Sequence, residues 1–118
     1  IKMKMDVNKK AWRKVLAVIG NGRSVTTKLR PRPNWIRPCD GHLIARSKGN
    51  NSVDRPILEK DVVWYARLAT NAGAKGRCIK NLPGEPPRRV GSIICSLLDL
   101  LPEFEYRSGQ IIAYFGPR

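Results

Sequence analysis

An α+β fold is the expectation from three features of these 118 residues. Apolar residues recur at helical spacing in three separate stretches. Short β-branched runs bounded by Gly, Asn and Asp lie between and after them. A segment dense in proline and arginine, "KLRPRPNWIRPCDGH" at 28–42, can belong to no helix. Together they predict a single basic α+β domain over 1–118, with about three helices and three to four short strands. Residues 28–41 form an extended proline- and arginine-rich arm within it. A chain of this length buries roughly two-thirds of its unfolded surface, enough for one ordinary core.

The first helix is expected from about Asn8 to Ile19, with Asp6 or Asn8 capping its start and Gly20 just past its end. Trp12, Val15, Leu16 and Ile19 share one stripe, and Lys10, Arg13 and Lys14 share the opposite side. "NGRS" reads as a turn and "VTTKL" as a strand. Prolines 31, 33 and 38 then fix φ and hold the residues before them extended, which argues against a central strand. "HLIAR" reads as a short buried strand that His42 opens, and "SKGNNSVD" as a polar loop ending in a helix-capping Asp54.

A second helix is expected from about Pro56 to Thr70, with Ile57, Val62, Tyr65, Leu68 and Ala69 inward and Trp64 near the edge. "NAGAKG" stops it, and "CIKNLPGEPPRR" is a second proline-rich connection. Val90, Ile93, Ile94, Leu97, Leu98 and Leu101 follow the helical pattern without a miss until Pro102. "RSG" is a turn, and "QIIAYFG" a terminal strand.

Charge carries the functional expectation. Twenty-three Lys and Arg stand against nine Asp and Glu, a formal net charge of +14. The excess is uneven: residues 1–50 hold thirteen cations and two acids, residues 51–118 ten cations and seven acids. Such crowding costs self-repulsion in the compact state unless a polyanion offsets it. Phosphate backbones are the commonest such partner. The expectation is therefore a non-enzymatic nucleic-acid-binding protein, with RNA or a single strand favoured over duplex DNA, in a ribonucleoprotein, viral or organellar assembly.

The expected contacts are Lys9, Lys10, Arg13 and Lys14 on the first helix, then Lys28, Arg30, Arg32, Trp35, Arg37, Arg46 and Lys48 in and after the arm. Arginine forks match phosphate, and an indole stacks on an unpaired base. For Trp35 the alternative is an anchor folded back onto the core. For the cations it is a solvated face, as most charge runs are. The arm and the first helix, both basic, suggest one shared footprint.

Catalytic readings are weaker. "CDGH" places Cys39, Asp40 and His42 in one loop, whereas a Cys–His nucleophile converges from distant parts of a chain. Those three make an open metal site with no second ligand cluster, so no metal and no cofactor is expected. "GAKGR" lacks phosphate-loop spacing. The rival is a metal-dependent nuclease drawing on Asp54, Glu59 or Asp61. A third reading, an assembly subunit or homo-oligomer, would use the helix at 90–101 as its interface.

Membrane binding is not expected: the longest apolar run is broken by Asp99 and is too short to span. Three widely spaced cysteines without a CxxC make no disulfide framework. With no secretory apolar core in "IKMKMD", they point to an intracellular reducing compartment.

Overall fold

A computed structural model describes residues 2–27, 32–47, 54–78 and 88–114. The α+β class holds, with three helices and seven short strands among those residues. In chain order they are α1 (Lys2–Ile19), β1 (Arg23–Thr26), β2 (Pro33–Cys39), β3 (His42–Ser47), β4 (Asp54–Ile57), α2 (Glu59–Ala72), β5 (Arg77–Cys78), α3 (Arg88–Asp99), β6 (Phe104–Arg107) and β7 (Gln110–Ala113). Strands β1 to β4 make an antiparallel meander in sequence order, and a second antiparallel sheet has the order β5-β7-β6.

Helix α1 begins six residues earlier than expected, so Asp6 and Asn8 lie inside it. Nothing in "KMKMDVN" breaks a helix, and Lys and Met propagate one well. Gly20, at φ +57°, ends it by donating its amide to the Leu16 carbonyl at 2.9 Å.

The largest departure is the arm. Its residues 33–39 are β2, hydrogen-bonded to β1 on one side and β3 on the other. The register explains why the prolines are tolerated. Cys39 and His42 flank a two-residue turn in which Asp40 and Gly41 have φ of 48° and 83°, and such flanking residues exchange both ladder bonds. Strict alternation from that pair leaves Pro38, opposite Leu43, with no bond to make toward β3. On its other side β1 reaches only to Arg23, opposite Ile36, so Pro38 lies beyond it. Pro33 is the first residue of the strand, where a missing donor is accepted. Residues 28–31 lie outside the described residues.

Asp54 is likewise no helix cap. It opens the edge strand β4, where Pro56 pairs with Ile44 in a position whose absent N–H faces outward. Leu58 precedes α2 without a side-chain cap, and Glu59 and Asp61 lie in the first turn, where negative charge suits the helix dipole. A second hairpin joins β6 to β7 through Ser108 and Gly109, at φ 53° and 75°.

One core joins the layers. Val25, Ile36, Leu43, Ala45 and Ile57 from the inner face of the meander join Trp12, Val15 and Ile19 of α1 and Val62, Tyr65 and Ala69 of α2. Phe104, Tyr106 and Ile111 of the second sheet complete it. Helix α1 packs on β2, α2 on β7, and α3 touches elements of both sheets. That central place buries α3 beyond its apolar stripe: every residue from Ile93 to Leu98 is inside, Cys95 and Ser96 included. Ser96 donates its hydroxyl to the Ser92 carbonyl at 2.8 Å, which removes the cost of its burial. Ile93, Ile94, Leu97, Leu98 and Leu101 thus serve this chain's own core.

Two glimpses of tight packing sit at α2 and α3. A Cβ at Gly91 would run into the Tyr65 hydroxyl. Burial pushes the Tyr65 phenol up to about 12 and raises the Cys95 thiol and the Tyr106 phenol as well.

Gly91→Ala should destabilise the protein by about 1–3 kcal/mol despite alanine's better helix propensity. In a Tyr65→Phe background, which removes the obstructing oxygen, the same change should cost much less; urea titrations of the four proteins give the coupling. Raised folded-state values mean that the unfolded chain releases these protons first. Stability should be full below the ordinary thiol and phenol values of 9.0 and 10.0 and be lost as pH rises toward about 12. Denaturant midpoints across alkaline pH check this, with a shallower fall expected in Tyr65→Phe.

Candidate functional site

Alternation along β2 buries Asn34 and Ile36 and turns Trp35 and Arg37 the other way. Cross-strand partners share a face, so the pairs Ser24↔Trp35, Trp35↔Arg46 and Arg46↔Asp54 form one row across all four strands. Arg37 and Ile44 stand in the next row with Pro56, and Cys39 and His42 face the same way at the hairpin end. Four residues from four strands thus line up on the face opposite the core.

Trp35 is 49% exposed and is the one exposed large hydrophobic side chain among the described residues. It is held rather than loose. A Cβ at Gly22 would stand 2.5 Å from its Cζ2, so the edge of the indole lies against bare backbone. Gly22 has φ +152°, a conformation that also favours glycine.

Beside the indole, Arg46 donates from Nε to Asp54 Oδ1 at 2.7 Å and from Nη2 to Oδ2 at 3.1 Å, a two-pronged pair. Arg37 Nη2 approaches the same Oδ2 at 3.9 Å. The hydrogen bond from Arg46 is the main reason the Asp54 carboxyl sits below its ordinary range, and the same bond raises Arg46. All three side chains remain open to solvent.

Arg32 is exposed just before β2. Its backbone is pinned: its amide donates to Thr27 Oγ1 at 3.2 Å, and its carbonyl accepts from the Thr27 amide and Asn34 Nδ2, each at 3.1 Å. Asn34 is thereby satisfied inside the protein.

The sequence-predicted cations fall on different elements. Lys9, Lys10, Arg13 and Lys14 are exposed on α1, opposite the buried Ala11, Trp12, Val15 and Ile19. Those cations stand on the side of α1 away from its buried stripe, whereas Trp35 stands on the face of the meander away from the core. Lys14 is also paired, its Nζ 3.0 Å from Glu103 Oε1. Lys28, Arg30 and Lys48 lie outside the described residues. Of the eleven residues expected, the structure brings Trp35, Arg37 and Arg46 together, with Arg32 at the strand's start.

Sequence reasoning missed Asp54 as the partner of two arginines. The signal available was "DRPI", whose proline suits an edge strand as well as a helix start. It also missed that "CDGH" is a hairpin turn, although an Asp-Gly pair is a strong short-range signal for one. Its thiol approaches Asp40, with Cys39 Sγ 3.9 Å from Oδ2. Among the described residues no three His, Cys, Asp or Glu side chains gather as a metal-ligand set, and no helix is long and apolar enough to cross a membrane. Comparison with protein-family models, curated proteins and solved structures finds no match.

Arg46→Gln should return the Asp54 carboxyl toward its ordinary value of 3.8, and Arg37→Gln should move it less, because Arg46 supplies the larger effect. A carboxyl carbon-13 titration of Asp54 in the three proteins reads both shifts.

Proposed function

We propose that this chain binds nucleic acid, RNA or a single strand foremost, without acting on it chemically, and that the outer face of the four-stranded sheet is the contact. The observation that carries the reading is the row Trp35–Arg46, with Arg37 beside it: a half-exposed indole next to two guanidinium groups on a solvent-facing sheet. An indole offers a face to any unpaired base, and guanidinium forks take the phosphates on either side. In a duplex the bases already stack on one another, which leaves a lone protruding ring little to hold. Hence the preference for single strands and loops.

The net charge of +14 supports the same class of partner and adds a long-range attraction from the α1 cations. Those cations would speed encounter and could take a second stretch of the polymer, as expected of a subunit in a ribonucleoprotein, viral or organellar assembly. Cys39, Cys78 and Cys95 are all free thiols, in keeping with a reducing compartment.

Affinity for a labelled oligouridylate should fall steeply with salt, with a log–log slope of about −0.7 for each phosphate neutralised on a single strand. Trp35→Ala should cost about 1–3 kcal/mol of binding. Arg37→Ala combined with Arg46→Ala should flatten the slope by roughly one unit or more. The matched set Lys9→Ala, Lys10→Ala and Arg13→Ala should leave the Trp35 contribution intact. Fluorescence anisotropy across a salt series measures all of these. Equal losses from both sets, with no effect at Trp35, would sink the sheet face as the contact.

A further inference from the structure

We propose that Asp54 occupies the seat of a ligand phosphate on this face and is displaced from the arginines when the polymer binds. The inference rests on the nucleic-acid reading and deepens it: the protein carries its own competitor, which sets how tightly the face can hold an anion.

The geometry is that of a stand-in. A carboxylate and a phosphate present the same paired oxygens to an arginine fork. Asp54 fills the Arg46 fork at 2.7 and 3.1 Å, yet its second oxygen meets Arg37 only at 3.9 Å. As placed, the carboxylate closes the Arg46 fork and leaves Arg37 beyond hydrogen-bond distance. A tetrahedral phosphate has further oxygens to offer, so it can close on Arg46 and Arg37 together. Exchange is cheap because the existing pair is solvent-exposed, and exposed pairs contribute little stability.

Position supports the same reading. Asp54 lies in the Trp35 row, two strands from the indole, so a base stacked on Trp35 brings its backbone toward Arg46. Asp54 also stands on the edge strand β4, and its side chain is open to solvent, which leaves it room to swing clear. While in place it performs two tasks. It holds both guanidinium groups extended over the sheet, and it repels any anion that cannot supply more than a carboxylate does. Asp54 is thus a positioning residue that limits affinity.

The test compares Asp54→Asn with wild type, using a labelled oligouridylate and, separately, inorganic tripolyphosphate. Glu105→Gln, on the other sheet, removes the same charge away from the face. Asp54→Asn should bind the RNA roughly tenfold tighter near physiological salt, with a slope steeper by about one unit. Glu105→Gln should change affinity by less than about twofold. In wild type, RNA should shift the Arg46 Nε–Hε resonance and raise the Asp54 carboxyl titration toward its ordinary value.

Unchanged or weaker RNA binding by Asp54→Asn overturns the displaced-seat idea and leaves the sheet-face reading standing. An equal gain in Glu105→Gln overturns it too, since net charge alone would then be responsible. If neither protein binds RNA but Asp54→Asn takes tripolyphosphate more tightly, the seat is upheld and the nucleic-acid reading falls. If Asp54→Asn takes neither anion, both fall.

Discussion

The register of β2 against β3 decides what this molecule shows to its surroundings. Strand side chains alternate, so one residue of slippage would carry Trp35 and Arg37 into the core and expel Ile36 and Asn34. Two things hold the register. Asp40 and Gly41 adopt the left-handed backbone that a two-residue turn demands. Ile36, Leu43 and Ala45 have a core to enter on one side only. Asn34 Nδ2 donates to the Arg32 carbonyl two residues before it, so its buried place on that side costs no hydrogen bond. Pro38 adds a negative constraint, because it fits where no ladder bond is called for.

With the register set, charge is divided between two surfaces. One is the α1 face, where cations stand over a helix that spends its apolar stripe on the core. The other is the sheet, where fewer cations stand but each is placed, and where an aromatic ring and a carboxylate share the row. The first acts over distance and weakens with salt; the second acts at contact and depends on geometry. Under the proposed function, a polyanion drawn in by the former is held by the latter. Asp54 keeps the second surface from being a plain cationic patch.

The interior accounts for how so thin a sheet face can be displayed at all. A meander with one solvent face needs its other face fully covered. The helices supply that cover, and α3, buried along Ile93–Leu98, ties the meander to the second sheet. Tyr65, Cys95 and Tyr106 sit in this region with their protonated forms favoured by burial. These ionisable groups serve packing.

Much was legible before folding. Helical periodicity located all three helices, because burial on one stripe repeats locally. The prolines pointed to extended backbone, which holds for 33–39, since φ at a proline is a property of the residue itself. Charge asymmetry and the company of Trp35, Arg32 and Arg37 were visible as neighbours in the chain. What stayed hidden depends on partners far along it. Whether a proline can sit in a central strand turns on which way its missing N–H points, and only the paired strands define that direction. Asp54 looked like a cap because its local company suits one; its true partners, Arg46 and Arg37, are brought to it by the bends of the meander. The separation of the α1 cations from the sheet cations arises the same way. Sequence neighbours can be placed on different faces, and only the packing says so.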